Sequence, residues 1–480
     1  MRPNRFPRPV RQFAPLSALL PAFLPAVVLA VLTALAASLL VSCAPGGSSP
    51  GRAGGSAGAA LVRVPQDAAS VQQAVDRVRP GGLVLVSPGV YRESVTVTKS
   101  RVVVRGTDRS TVVVDGEFRR PNGITVTGAG GVVENLTVRN HLANGVLFTG
   151  VTDERLQSGG AGGSGYDPLD TVRFPPLNGF RASYVTAYDN ALYGIYAFDT
   201  RAGVIEHSYA SGQADSGIYV GQCRPCDTVV RHNTVEHNAV GLEVTNASEG
   251  LYLLGNRASH NRVGLTLNSN DLEALGPQHG AVIAGNTFTD NNDDRSPEQA
   301  EGGFGIGIGA GGGRDNVIER NLIRGNRAAG VLLSDVQGYP AQGNTVRANR
   351  IDSNGTDLVL ATGAPAGNCF ADNTADGGPG DGTGPSSSPA GLPQLAPCGH
   401  AAQPTHPATA PAPVPAEPGS GRPPLGRARP VQAPPGISFQ DVPAPHAQPG
   451  RPGSPTAAPR PATGLPGPID PAAFPLPRLP

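Results

Sequence analysis

The chain of 480 residues carries 37 basic and 37 acidic side chains, a formal net charge of +0 and a pI near 7.1. That balance gives no electrostatic bias toward nucleic acid or an acidic surface, so no nucleic-acid partner is expected. Glycine (65) and proline (49) are abundant, aromatic residues make up only 5% with no tryptophan, and much of the proline falls after about residue 375.

Residues 1–42 read as an export signal, because Arg2, Arg5, Arg8 and Arg11 precede an apolar run from about Phe13 to Val41. The run is also long enough to cross a bilayer, which leaves a plain signal peptide or an uncleaved anchor as alternatives. Leu40-Val41-Ser42-Cys43 resembles the bacterial lipobox. The resemblance implies cleavage before Cys43, lipidation of its thiol, and an exported lipoprotein anchored to the outer face of the cell membrane. Residues 43–60, rich in Gly, Ser and Pro, then serve as a flexible tether.

The folded part is expected over 61–374. It opens with a short helix: Ser70 and Gln73 form a capping box, and Val71, Ala74, Val75 and Val78 give it one apolar face. Such a helix can plug the open end of a stack of strands whose first edge is otherwise unpaired.

Beyond it, internal repetition dominates. Gly-apolar-x-apolar strands recur as "GITV" at 123, "GVLF" at 145, "GIYA" at 194, "GIYV" at 217, "GLEV" at 241, "GLTL" at 264, "GIGI" at 305 and "GVLL" at 330, with a weaker "DLVL" at 357. Most steps are 22 to 27 residues; the two exceptions, 49 and 41, carry insertions. A second motif precedes many of these strands, as in "HNTVEHN" (232–238), "GNRASHN" (255–261) and "GNTVRAN" (343–349).

One such repeat cannot bury its apolar face alone, whereas stacked coils bury theirs jointly. Gly and Asn are expected to supply the φ > 0 corners, with stacked Asn amides bonding along the axis. The architecture predicted is all-β, a parallel β-solenoid of roughly ten coils, about 50 Å long at parallel-strand spacing.

The stacked "GNTxxxN…GIxV" coils resemble the right-handed parallel β-helix repeats of the pectin-lyase-like superfamily, and "SVQQAVDRVRPGGLVLVSPGVYRESVTV" (70–97) resembles that superfamily's cap and first coil. The likeness covers about 65 to 374. It implies a right-handed β-helix of the kind found in secreted bacterial proteins, and no particular reaction.

Alternation within each strand sends its second position outward. Down the stack that column reads Thr125, Leu147, Tyr196, Tyr219, Glu243, Thr266, Gly307, Leu332, Val359. Insertions at about 150–178 and 268–280 stand at one corner on either side of the two tyrosines. Long loops on a rigid scaffold favour function there.

The predicted site is therefore a groove for an extended polysaccharide. Tyr196, Tyr219 and Glu243 form its floor, Asp199, Arg201 and Gln222 its edge, and Asp167, Asp170 and Arg173 one wall. Tyrosine faces stack on sugars, while carboxylates and arginine hold hydroxyls or uronates. The same residue types also suit a merely exposed strand face.

Outside the cytosol, paired cysteines are expected to be oxidised. With Cys43 lipidated, the other four divide into Cys223/Cys226 at a turn and Cys369/Cys398, the second closing residues 375–400 onto the last coil. His207, His232, His237 and His260 lie close in register and make copper or zinc handling an alternative, beside plain solvated corner histidines. A structural or adhesin-like surface rod is the third alternative.

Related lyases use a carboxylate cluster holding calcium, so calcium is expected only if this chain is lyase-like; otherwise no cofactor is expected. The Asp-Pro-His-Glu motif of alginate epimerases is replaced by Asp167-Pro168-Leu169-Asp170, and the single lysine, Lys99, lies in the first coils. Candidate catalytic residues are Glu243, Asp199 and Arg201, with Asp215 and Asp189 in reserve, and whether the chain is an enzyme stays open. Residues 401–480, dominated by Pro, Ala and Gly, read as a disordered tail.

Overall fold

The computed structural model describes residues 58–157, 170–298, 302–363, 365–375, 384–399, 423–453 and 469–478. The export segment 1–42, Cys43, most of the tether, Asp167 and the tail stretches 401–422 and 454–468 lie outside the described residues.

The repeats wind into a stack with two parallel sheets. One, the front sheet, has eleven strands among the described residues, from Val95–Val97 to Ser387–Ser388, and is built from the Gly-apolar-x-apolar motifs. The other, the bent sheet, has twenty, and most coils give it two short strands such as Thr228–Arg231 and Thr234–Glu236. Inward positions Ile195, Ala197, Ile218, Val220, Leu242, Val244, Leu265 and Leu267 join one continuous core.

Asparagine ladders hold the corners. Asn233 Nδ2 donates to Asn256 Oδ1 (2.9 Å), and the chain of amides continues to Asn286, Asn321, Asn349 and Asn373 at 2.9–3.0 Å. A second ladder runs from Asn238 through Asn261, Asn291 and Asn326 to Asn354 at 2.9–3.2 Å. Each buried amide is thereby satisfied. The left-handed residue, however, is the one before the ladder asparagine: His232 (φ 54°), His237 (φ 59°), Gly255 (φ 60°), His260 (φ 56°). The asparagine contributes its amide and its predecessor makes the bend.

The repeat glycines also do something other than expected. A Cβ on Gly241 would sit 2.7 Å from the Gly264 carbonyl oxygen and 2.9 Å from Asn261 Nδ2. Glycine is required there by close approach of the next coil. One repeat is corrected in register: Thr266 pairs with Gly309, and Gly309 with Leu332, so the outward column contains Gly309 rather than Gly307. Glycine recurs every second residue over 303–311, and a slip of two keeps inward and outward faces unchanged, so the motif fits both phases.

The cap helix is Val71–Arg77, with the Ser70 side chain accepting from the Gln73 amide and Val71, Ala74 and Val75 buried. Glu93 accepts the amides of Val71 and Gln72 at 2.9 Å each, placing a carboxylate at the positive helix end. Lys99 Nζ donates to the carbonyls of Val75, Asp76 and Val78 at the other end (2.6–3.1 Å), so the single lysine is a helix cap.

Two stretches of the segment expected to be a solvated tail lie against the coils. The Leu425 amide donates to Thr362 O, Arg109 reaches Pro449 O (2.8 Å), and the Arg451 amide donates to Asn135 Oδ1 (2.6 Å). Residues 425–451 thus run back from the last coils to the first. The disordered reading of 401–480 does not extend to 423–453 or 469–478.

Candidate functional site

Tyr196, Tyr219 and Glu243 are direct partners on adjacent front-sheet strands, as the spacing predicts. Sequence reasoning missed two further rings. Tyr193, at the corner before the strand, stacks on Tyr196 with centroids 4.4 Å apart and planes 18° from parallel. Phe198, the next outward residue, lies 5.5 Å from Tyr196. Alternation alone marks Phe198; Tyr193 precedes the motif and has no such signal. Tyr193, Tyr196 and Phe198 are each half-buried, giving three partly exposed rings side by side from the corner onto the strand.

The rest of the expected floor is covered, which corrects the open-groove picture. Tyr219 is 2% exposed and Glu243 8%. The Tyr219 ring lies over Gly221, where a Cβ would come within 2.3 Å of it, and its hydroxyl is 3.5 Å from Glu273 Oε2. Gln222, expected at the edge, is fully buried and donates to the same Glu273 oxygen at 2.6 Å. The insertion 268–280 is held down at its base, where Asn246 Nδ2 donates to the carbonyls of Asn270 and Ala274.

Asp199 is also fully buried, with both carboxylate oxygens lacking a hydrogen-bond partner and Oδ2 packed over Gly150. Burial pushes its carboxyl up to about 7. Arg201 is exposed and lies beyond the corner on the bent sheet, paired with Asn178, so it does not join Asp199 and Glu243. Burial and the carboxylates of Asp215 and Glu243 hold the Tyr193 phenol well above its ordinary range. The Asp215 amide donates to Leu192 O, next to Tyr193, so Asp215 belongs to this site, whereas Asp189 sits at another corner, beside Gly212 and Val442.

Among wall residues, Asp170 and Arg173 are exposed on the 150–178 insertion, where Arg173 pairs with Asp153 at 3.3 Å. Asp153 also takes Arg155, and these hydrogen bonds lower its carboxyl to about 2.

The cysteines form the expected bridges, Cys223–Cys226 and Cys369–Cys398. Cys223 and Cys226 are buried in the core cluster, so the Cys-Arg-Pro-Cys turn staples a corner. The histidines do not converge: His207 stacks on His232 (5.2 Å) at one corner and His237 lies 5.9 Å from His260 at the next. Their positions are those of the left-handed bend residues. Among the described residues no group of three or more His, Cys, Asp or Glu side chains is arranged to hold a metal ion.

Parallel sheets wound into a solenoid and capped by a helix define a right-handed parallel β-helix protein. The family described as "Right handed beta helix region" matches residues 122–274, 172–311 and 268–390, together more than half of the chain, and the chain belongs to it. No curated protein matches it in sequence.

Similar solved structures include the A-module of mannuronan C-5 epimerase AlgE4 from Azotobacter vinelandii, with 18% identity over 62% of this chain and 79% of that one, TM-score 0.44. The Dettilon tailspike protein (gp208) matches at 14% identity over 66% and 62%, TM-score 0.46. Pectate lyase Pel9A matches at 18% over 64% and 72%, TM-score 0.35. Likeness at this level says nothing of activity.

Proposed function

We propose that the front sheet binds an extended polysaccharide across the ring platform of Tyr193, Tyr196 and Phe198. The observation carrying this reading is that three half-buried rings lie in a row, 4.4 and 5.5 Å apart, backed by the covered ring of Tyr219 on the next coil. Rings of this kind offer flat apolar faces to sugars, and the half-buried Asp215 carboxylate nearby can accept hydrogen bonds from hydroxyls.

Binding is favoured over processing. A catalytic acid must touch substrate, and Asp199, although its proton is held to about 7, is fully buried. Retention of the purified chain on a panel of neutral and acidic polysaccharides, with release of new reducing ends or unsaturated products measured alongside, tests both halves. Retention without product is expected. Product on any polymer overturns the preference for binding, and silence across the panel sinks the glycan reading.

The same proposal places the protein outside the cell, tethered through Cys43. Support comes from the Leu40-Val41-Ser42-Cys43 stretch and from two disulfides, which persist in oxidising compartments. Intact mass of the mature protein decides it, because a residue 43 without added lipid removes the anchor.

A further inference from the structure

The outward face of the bent sheet carries a feature unrelated to the ring platform. One outward column reads Glu206, Arg231, Leu254, Ala284, Glu319, Arg347 through successive pairings. On either side of its middle it is charged and ion-paired: Glu206 with Arg231 (2.7 Å), Glu319 with Arg347 (2.7 Å). Its middle is apolar. Leu254 and Ala284, with Val229 and Tyr252, form a cluster separate from the core. A solvated strand face has no reason to hold an apolar cluster between two ion pairs.

Phe474 and Ile469, from the C-terminal segment, pack on that cluster. The corner beside it is cut away to admit the ring. The left-handed corner column holds His207, His232, Arg320 and Ala348, but is glycine at 255 and 285. A Cβ on Gly285 would lie 2.8 Å from Phe474 Cβ, and one on Gly255 would lie 3.1 Å from its Cδ1. His232 faces the ring at 5.4 Å. From the other side, Arg320 donates to the carbonyls of Phe474 (3.3 Å) and Pro471 (2.8 Å).

We infer that this cradle is a binding site for a proline-rich peptide with an aromatic anchor, and that its ligand is the chain's own segment 469–478, docked in cis. The ligand chemistry follows from the parts. Glycine floor and His232 wall select a flat ring, and the apolar cluster takes a second aliphatic anchor. Arg320 reads two backbone carbonyls of the segment, that of Phe474 and that of Pro471, the latter also accepting the Phe474 amide in a tight turn. Elsewhere the tail is held by the same device, with Arg262 donating to Pro434 O and Arg109 to Pro449 O.

The test is fluorescence anisotropy of a labelled peptide spanning Ile469 to Arg478, titrated with the full chain and with its Phe474→Ala variant. A tethered ligand competes at an effective concentration of order 1 mM. The peptide should therefore bind Phe474→Ala at least tenfold more tightly than wild type, and adding Gly285→Val should abolish that binding. Equal affinity for wild type and Phe474→Ala overturns cis occupancy. No binding to a Phe474→Ala protein that melts like wild type overturns the site. Should that variant not fold, hydrogen exchange on the wild type decides: free-peptide rates at the Ala472 to Phe474 amides overturn the proposal, and protection supports it.

Discussion

The Gln222 side-chain amide donates to Glu273 Oε2 at 2.6 Å, joining two residues 51 apart in sequence and closing the 268–280 insertion against the edge of the front sheet. Gln222 is fully buried, so removing its acceptor strands a buried donor. Glu273→Ala is expected to cost about 1–3 kcal/mol in denaturant unfolding. A Gln222→Ala/Glu273→Ala double-mutant cycle should return a coupling above about 0.5 kcal/mol, and independent effects would show that the contact does not hold the insertion.

The ring platform gives a binding prediction. Tyr196→Ala removes the central ring and the stack on Tyr193, an arrangement worth about 0.5–1.5 kcal/mol beyond buried area. Polysaccharide affinity should fall at least about tenfold, while the lost packing on Tyr193, Phe198 and Tyr219 lowers the melting temperature by only a few degrees. Unchanged retention in affinity electrophoresis would remove Tyr196 from the site.

Close approach between coils gives a contrasting pair. Gly241→Ala drives a Cβ to 2.7 Å from the next coil's backbone and should destabilise by roughly 3 kcal/mol or more. Gly384 has nothing within 4 Å of a built Cβ, and Gly384→Ala should stay within about 0.5 kcal/mol. Thermal melts of both variants check the difference.

Two carboxyls, Asp189 and Asp199, are pushed up to about 7 by burial. A raised folded-state pKa means that folding favours the protonated acid. The associated stability is full below the unfolded value near 4, is lost as pH rises toward 7, and stays lost above it. His141, lowered to about 4 by burial, opposes this below about 6.5, so the informative quantity is a difference. Asp199→Asn should gain stability relative to wild type between pH 5 and 7.5, by an amount on the order of a few kcal/mol. A pH-independent difference in chemical melts would contradict the buried, protonated Asp199.

Most of the fold was legible in the sequence because it is local and repeated. Ser70 and Gln73 announced the cap, the Gly-apolar-x-apolar motif announced the front sheet, and alternation put Tyr196, Tyr219 and Glu243 on one face of neighbouring coils. Where the pattern is degenerate it misled: glycine at every second residue from 303 to 311 allowed a slip of two.

The sequence by itself determined which residues point out of the coil, since strand period and repeat length are properties of the chain alone. Only the tertiary structure decided which outward residues stay accessible. Tyr219 is covered because Gly221 lets its ring lie flat and Glu273 comes over it; Leu254 and Ala284 are covered by Phe474, some two hundred residues later. Contacts across such separations leave no local periodicity, so burial on the outside of the solenoid is fixed by where insertion and tail come to rest.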